Sequence, residues 1–202
     1  KGLRLPPKIA PIQVVIVPIY KNEEELNGIL NYLEPTINYL EKNNVRYLID
    51  KREKVSPGYK FNEWEMKGVP IRIEVGPRDM SKNVLTYVRR DNLEKSTDNI
   101  TIVSNSILNL LDSIQNNIFQ QAKEFQQNNT FTAASYDEFK LLISKGGFIE
   151  CGWDGNPKTE QLIKQDTNAT IRCIHLEQNI NDLKCIYTSK PAKYHVIFAK
   201  SY

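Results

Sequence analysis

The sequence predicts a mixed-sheet α/β domain with helices on both faces, followed by a small α+β domain. Three observations predict this fold class: strand-like and helix-like segments alternate up to residue 128, a polar Asn-Asn-Thr stretch follows, and shorter strands and helices alternate beyond it. A chain of 202 residues is long enough for two small domains. We therefore expect a tail over residues 1–9, a first domain over residues 10–128 and a second domain over residues 129–202.

The first domain is predicted to begin with a buried strand and a long helix. Gln13–Tyr20 is nearly all apolar and rich in β-branched residues, as in central strands buried on both faces. Asn22 can cap the following helix, whose first turn carries three glutamates, and Pro35 is expected to kink or restart it. The later elements are predicted as strands over Val45–Asp50, Ile71–Val75 and Asn83–Arg89, and as helices over Pro57–Lys67 and Asn99–Asn128.

The second domain is predicted to begin with a capped helix. Ser135 and Glu138 have the spacing of a capping box before a short amphipathic stretch, which Gly146-Gly147 would end. The remaining elements are predicted as strands over Phe148–Cys151, Thr170–Leu176 and Tyr194–Ala199, and as a helix over Pro157–Gln165. This order is typical of a small α+β domain.

The composition excludes several classes of protein. No apolar run approaches the roughly 18 residues of a membrane span, and the N-terminal residues lack the apolar core of a signal peptide. The cysteines number three, and an odd count argues against a disulfide framework and for a reducing compartment. We therefore expect a cytoplasmic protein with no membrane partner. The absence of an initiator methionine indicates a piece of a longer protein.

Enzyme motifs are not found in this sequence. It contains no phosphate-binding loop, dinucleotide-binding motif, serine-hydrolase elbow or zinc-protease motif. His175 and His195 fall in predicted strands among apolar neighbours, where a structural histidine is far more common than a catalytic one. A small hydrolase that depends on Cys151 stays as a minor alternative. The residues thus predict no catalytic site in this chain.

A basic segment contains residues suited to an unpaired base. Positions 51–90 hold ten Lys or Arg against five Asp or Glu, in a chain whose net charge is +3. Phe61 and Glu65 share a helix face, and Arg72 and Arg78 lie on and just after the next strand. These groups could stack on guanine and hydrogen-bond its edges. Equally, Phe61 could be core, Glu65 and Arg72 a surface ion pair, and the charges a solvated face; the spacing leaves both interpretations open.

Four longer stretches resemble one family across essentially the whole chain. GLRLPPKIAPIQVVIVPIY, PGYKFNEWEMKGVPIRIEVGPRD, IECGWDGNPKTEQLIKQDTNATIRCI and the ending FAKSY resemble prolyl-tRNA synthetases of the eukaryote- and archaeon-like type. The resemblance implies the part after the catalytic core: an anticodon-binding domain and a C-terminal zinc-binding-like domain, with tRNA(Pro) as partner and no DNA. It implies a class II parent enzyme, a homodimer that uses ATP and Mg²⁺, whose catalytic domain is missing here. A freestanding RNA- or protein-binding accessory module is the alternative.

The resemblance also assigns roles to residues of the first domain. The family's anticodon contacts fall on Phe61, Glu65, Arg72 and Arg78 of this sequence, and Arg78 stands where relatives often have lysine. Beyond the resemblance, we expect Lys60, Arg89 and Arg90 to contact phosphates of the tRNA backbone. In the family the C-terminal tyrosine carboxylate, here Tyr202, points toward the active site of the catalytic domain.

Several relatives bind zinc in the C-terminal domain through four cysteines. The four ligand positions correspond here to Cys151, Asn156, Cys185 and Thr188, whereas Cys173 matches a position that is not a ligand. Two thiolates cannot complete a tetrahedral site. We therefore predict no bound zinc, and we expect hydrogen bonds around Asp154, Asn156 and Thr188 in its place.

Overall fold

The computed structural model describes residues 2–200, and its internal contacts divide the chain into two compact units that meet in sequence at residues 121 and 122. The predicted boundary at residues 128 and 129 stays a prediction. The first unit contains β1 (Val14–Pro18), α1 (Glu23–Lys42), β2 (Tyr47–Ile49), α2 (Pro57–Met66), β3 (Ile71–Val75), α3 (Pro77–Lys82), β4 (Val84–Arg89) and β5 (Lys95–Asn99), and α4 (Ile100–Asn128) begins in it. The second contains β6 (Thr130–Thr132), α5 (Tyr136–Lys145), β7 (Phe148–Trp153), α6 (Pro157–Thr167), β8 (Ala169–Ile174) and β9 (Tyr194–Lys200).

The first unit is built on a five-stranded mixed sheet in the order β2-β1-β3-β4-β5. The first three of these strands are parallel, and β4 and β5 are antiparallel to their neighbours. Successive side chains of β1 enter opposite faces: Ile16 packs with residues of α1 and α4, whereas Val15 packs with Trp64 of α2. Helices therefore cover both faces, as the sequence predicted.

Pro35 does not interrupt α1, although the sequence predicted a kink or a restart there. The helix runs as one element from Glu23 to Lys42. Proline removes the hydrogen bond to the carbonyl of Asn31, and both Pro35 and Asn31 are exposed, so water can satisfy that carbonyl. The next residue, Thr36, is buried and makes a 2.7 Å hydrogen bond between its hydroxyl and that of Ser104 in α4. Packing thus holds the helix together across the proline.

Three short elements were not predicted from the sequence. The Gly76-Pro77 turn continues into α3, whose first turn is closed by a 2.8 Å bond from Gly76 N to an Asp79 carboxylate oxygen. The polar strand β5 pairs with the edge of β4, and β6 pairs with β7. Each of the three has at most six residues and no apolar periodicity, and the two strands depend on pairing with β4 and β7.

The second unit is a four-stranded sheet in the order β6-β7-β9-β8, packed against α5 and α6. Ser135 caps α5 as predicted, because its hydroxyl accepts a bond from Glu138 N. The core is centred on Phe139 and Phe198, whose rings meet edge to face at 5.4 Å. Within the described residues, no helix is long and apolar enough to cross a membrane.

Candidate nucleic-acid interface

Three predicted site residues converge on the outer face of α2 and β3. The guanidinium of Arg72 lies over the ring of Phe61, 4.7 Å from its centroid, and donates to the Phe61 carbonyl at 3.3 Å. The closest approach between Arg72 Nη1 and a Glu65 carboxylate oxygen is 4.0 Å. The Glu65 side chain is 39% exposed and that of Arg72 is 14% exposed, so the carboxylate is the more accessible of the two. The spacing left open whether these residues face a base or belong to the core and a surface ion pair. Both are partly true, because Glu65 is accessible while Phe61 also packs against the apolar cluster around Trp64.

Glu74 holds Arg72 in this position, a role that the sequence did not predict. Arg72 donates from Nε and Nη2 to one Glu74 carboxylate oxygen, at 3.1 and 3.0 Å. The other oxygen accepts from Lys95 Nζ at 2.7 Å. The side chain of Glu74 is 7% exposed, so this carboxylate is compensated by two cations rather than by water. The alternation of β3 indicated that Glu74 shares a face with Arg72, but β5, which carries Lys95, was not predicted.

Asp50 organises the N-terminal half of α2. Its carboxylate accepts from Arg52 Nε at 2.9 Å, from Arg52 Nη2 at 2.7 Å and from Trp64 Nε1 at 2.8 Å. Burial opposes ionisation of this group, but the hydrogen bonds from Arg52 and Trp64, with the charge of Lys60, outweigh burial and hold the pKa of Asp50 well below its usual range. Trp64 packs with Val15 and Val17 of β1 and donates to Asp50. Asp50 therefore helps to hold α2 against that strand.

Arg78 lies away from the other three predicted contacts. It is in α3, beyond the carboxyl end of β3, whereas Arg72 is near the amino end of that strand. Its side chain is exposed, beside a cleft that Tyr20 also lines. The carboxyl ends of the parallel strands β1, β2 and β3 meet at this edge. Within the basic segment, residues 51–90, four exposed cations make no ion pair with the described part of the chain: Lys51, Lys54, Arg78 and Lys82.

The three predicted backbone contacts are engaged inside the protein. Lys60 is 2% exposed, and its Nζ donates to the Asp50 carbonyl at 3.0 Å, so its ammonium does not face solvent. Arg89 makes a two-pronged bond to Asp91 at 3.0 and 2.7 Å. Arg90 is 7% exposed and donates from Nε to the Glu65 carbonyl at 2.9 Å, which ties down the C-terminal end of α2. Acceptors within the protein therefore hold all three side chains.

The four positions of the family's cysteine site also lie in described segments. Cys151 and Cys185 are buried free thiols, and burial, with the neighbouring Cys185, raises the pKa of Cys151 to about 12. Asp154 accepts from Asn156 N at 3.0 Å and from Thr188 Oγ1 at 3.4 Å. The expected hydrogen bonds around these residues are therefore present. Tyr202 lies outside the described residues.

A second cluster in this unit was not predicted at all. Glu150, His175 and His195 each offer a ligand atom, and these atoms all lie within 4.8 Å of one another. The sequence placed each histidine in its own strand as a structural residue. His195 is in β9, but His175 directly follows the end of β8, and only the pairing of these strands brings the two together. Burial and the charge of His175 lower the pKa of His195.

The mixed five-stranded sheet with helices on both faces belongs to an anticodon-binding type of domain. The anticodon-binding domain family matches residues 13–117, and the prolyl-tRNA synthetase C-terminal family matches residues 136–202.

The relatives agree with both family matches. A protein named proline–tRNA ligase from Amoebophilus asiaticus is 47% identical over 206 residues, which cover 100% of this chain and 41% of the relative. Those of Porphyromonas gingivalis and Cytophaga hutchinsonii are 45% and 43% identical, again over 100% of this chain and 41% of their own length. The chain belongs to the prolyl-tRNA synthetase family and corresponds to the C-terminal region, about two fifths of the length, of these relatives.

Proposed function

We propose that this chain supplies tRNA recognition to a proline–tRNA ligase, with the first unit binding the anticodon of tRNA(Pro). The observation that carries the proposal is the convergence of Phe61, Glu65 and Arg72 on one face, with the Glu65 carboxylate accessible. The parent protein would ligate proline to tRNA with ATP and Mg²⁺ in a catalytic domain that this chain does not contain. The family membership of the chain and the names of its relatives support that assignment.

The geometry suits guanine, which proline anticodons carry at their second and third positions. A carboxylate accepts from the N1–H and N2–H₂ of guanine, and the fork of an arginine donates to O6 and N7. Glu65 offers the acceptor, and Glu74 already orients the fork of Arg72. One face of the Phe61 ring is covered by Arg72, so a stacked base would use the remaining exposed part of the ring. Recognition would therefore need little rearrangement of the charged groups.

Contacts to the tRNA backbone are proposed for the exposed cations at the carboxyl edge of the sheet. Lys51 and Lys54 lie in the segment between β2 and α2, and Arg78 lies in α3. Cations without a protein partner gain most from phosphate, because no internal ion pair has to break. This assignment replaces Lys60, Arg89 and Arg90.

Base recognition predicts an affinity that depends on the anticodon. Glu65→Gln should weaken binding of a tRNA(Pro) transcript by about 1–3 kcal/mol, the usual worth of a good bidentate base contact. The loss should be absent with a transcript in which both anticodon guanines are replaced by adenines. Fluorescence anisotropy of both labelled transcripts at one fixed salt concentration measures this difference, since the phosphate contribution is strongly salt-dependent.

Glu63→Gln is the matched control for this measurement. Glu63 is on the same helix, but its carboxylate bonds Arg52 and Lys67 instead of facing Arg72. Its substitution should leave the difference between the two transcripts unchanged. If the wild-type chain binds both transcripts equally well, the base-recognition proposal is wrong and only a non-specific polyanion surface remains.

The parent enzyme is proposed to be a homodimer that acts in the cytoplasm. Three free cysteines, two of them buried, support a reducing compartment. The dimer and the docking of the catalytic domain of the same chain rest on the family alone.

The cysteine positions are proposed to hold no zinc. A structural site of this kind needs four ligands, and Asn156 and Thr188, which stand at two of the four positions, carry no thiol. A variant with both histidines replaced, His175→Asn with His195→Asn, isolates these positions. After exposure to Zn²⁺ and gel filtration it should retain well under one zinc per chain, and with Co²⁺ it should show no thiolate-to-cobalt charge-transfer band. One zinc per chain in this variant would contradict the proposal.

A further inference from the structure

We propose that Glu150, His175 and His195 form a binding site for one divalent transition-metal ion of the zinc type, separate from the family's cysteine positions. The chain contains two histidines in all, and both of them take part. Their ligand atoms and that of Glu150 lie within 4.8 Å of one another. Two imidazoles and one carboxylate form a ligand set that zinc uses when it keeps one coordination position open.

The sheet places the three side chains on its outer face. Ile149 and Cys151 of β7 are buried in the core, so the intervening Glu150 points to the other face. Gly152, two residues further on and on the same face, is paired with His195 of β9 and presents no side chain there. His195 can therefore lie beside Glu150. The site thus depends on a diagonal pair across two neighbouring antiparallel strands.

His175 directly follows β8, which pairs with β9 on the side away from β7, and it lies on the same face of the sheet as His195. Its backbone N donates to the carbonyl of His195 at 3.3 Å, one step beyond the register of β8 and β9. The two imidazole rings are stacked with centroids 4.4 Å apart and planes 23° from parallel. The Gln178 side chain joins the two backbones, because it accepts from His195 N at 2.7 Å and donates to the carbonyls of both histidines. Backbone bonds therefore hold both imidazoles close together.

One ring atom lacks a partner in this arrangement. His175 Nε2 is buried and makes no hydrogen bond with the described part of the chain. The nearest carboxylate oxygen, Glu150 Oε1, is 3.6 Å away, which is too long for a hydrogen bond. Ligands of a tetrahedral zinc ion with bonds of about 2.0–2.1 Å are separated by about 3.3 Å. A metal ion would thus satisfy this atom once the imidazole rings turn out of their stack, so that both ring nitrogens point at one ion.

The ligand chemistry selects the class of ion. Imidazole nitrogen favours zinc and the neighbouring first-row metals over Mg²⁺ and Ca²⁺, which prefer oxygen. Three protein ligands leave the fourth position to water. Because the ligands come from β7, from β9 and from the residue after β8, the bound ion would cross-link three segments of the second unit. Metal binding should therefore raise its thermal stability.

The test is a titration of the EDTA-stripped 202-residue chain with Zn²⁺. Calorimetry should show one equivalent bound, and the melting temperature should rise with the zinc concentration. Substituting residues that merely orient metal ligands usually costs about 10–100-fold in affinity, so His195→Asn and Glu150→Gln should each weaken binding by about 100-fold or more. Glu150→Gln keeps the size of the side chain, so the test does not depend on a histidine variant that fails to fold.

Glu177→Gln is the control, because Glu177 is an exposed carboxylate two residues from His175 and outside the cluster. It should bind Zn²⁺ like the wild type. With Co²⁺, the wild type should show a visible ligand-field spectrum without a thiolate charge-transfer band. Equal affinity in the wild type and in His195→Asn would overturn the proposal, as would a thiolate band, which would place the ion on the cysteines. Absence of binding at excess zinc would also overturn it, because the two histidines and Glu150 would then be neighbours that hold no ion.

Discussion

Replacing Asp50 with alanine is expected to lower the free energy of unfolding by about 3–5 kcal/mol, the usual cost of removing one partner from a buried ion pair. Asp50 has 1% of its side chain exposed and Lys60 has 3%, and their charged atoms are 3.8 Å apart. Without Asp50, the ammonium of Lys60 would be buried without a counter-charge. Trp64 Nε1 would also lose its acceptor. Urea unfolding followed by tryptophan fluorescence measures the change, since Trp64 is in the first unit and Trp153 in the second.

The control for this variant is Glu53→Ala. Glu53 is an exposed acid three residues away, and its removal should change the free energy of unfolding by less than about 0.5 kcal/mol. An Asp50→Ala chain that is as stable as Glu53→Ala would contradict the structural role of Asp50.

Asp50 also sets the direction of an acid dependence. Its pKa is lowered in the folded state, so the stability it contributes is present above its unfolded pKa of about 3.9 and is lost as the pH falls below that value. In Asp50→Asn, the decline of the unfolding free energy below about pH 4 should be shallower than in the wild type. If the unfolding free energy of Asp50→Asn falls with decreasing pH as steeply as that of the wild type, this carboxylate is not the titrating group.

Replacing Gly152 with alanine is expected to lower the free energy of unfolding by about 3 kcal/mol, the upper part of the range for overpacking. A Cβ at this position would overlap the carbonyl oxygen of Lys184 and lie 2.8 Å from the Cβ of Ala192. The backbone of the facing loop cannot easily withdraw. Ile186 N bonds the Gly152 carbonyl at 2.9 Å and Ala192 N bonds the Leu183 carbonyl at 2.8 Å.

This glycine matters for the cysteine positions, because the loop that it contacts carries Cys185 and Thr188. Close backbone packing at Gly152 and the bond from Thr188 to Asp154 hold that loop. Gly58→Ala is the matched control: a Cβ there meets nothing within 4 Å, and alanine in a helix should raise stability by about 0.5–1 kcal/mol. If thermal and urea unfolding show the same stability for Gly152→Ala and the wild type, the loop is more adaptable than its hydrogen bonds indicate.

Local sequence signals predicted most of the elements of the fold. The caps at Asn22 and Ser135 each make the expected side-chain bond, because a cap depends on residues within one turn. A strand was predicted over Ile71–Val75, and in it the side chain of Arg72 faces away from the buried Ile71 and Ile73. The short elements α3, β5 and β6 were missed, since each has six or fewer residues and no apolar periodicity; the cap of α3 by Asp79 was the one local signal among them.

The roles of charged residues were harder to predict than the elements. Lys60 and Arg90 occupy positions in a basic segment, yet Lys60 is enclosed with Asp50 and Arg90 binds the Glu65 carbonyl. The spacing along the chain shows which charges are near in sequence, but not which acceptors tertiary packing brings to them. The same limit applies to His175 and His195, which are twenty residues apart and become neighbours only through strand pairing.

By itself, then, the sequence determined the fold class, the family and the face on which Phe61, Glu65 and Arg72 lie, because periodicity, caps and shared motifs are encoded locally. The tertiary structure decided which cations stay exposed, how Glu74 and Asp50 support the site, and that Glu150 meets both histidines. Those relations join residues from different elements, and only the register of the sheets and the packing of helices on them bring such residues within bonding distance.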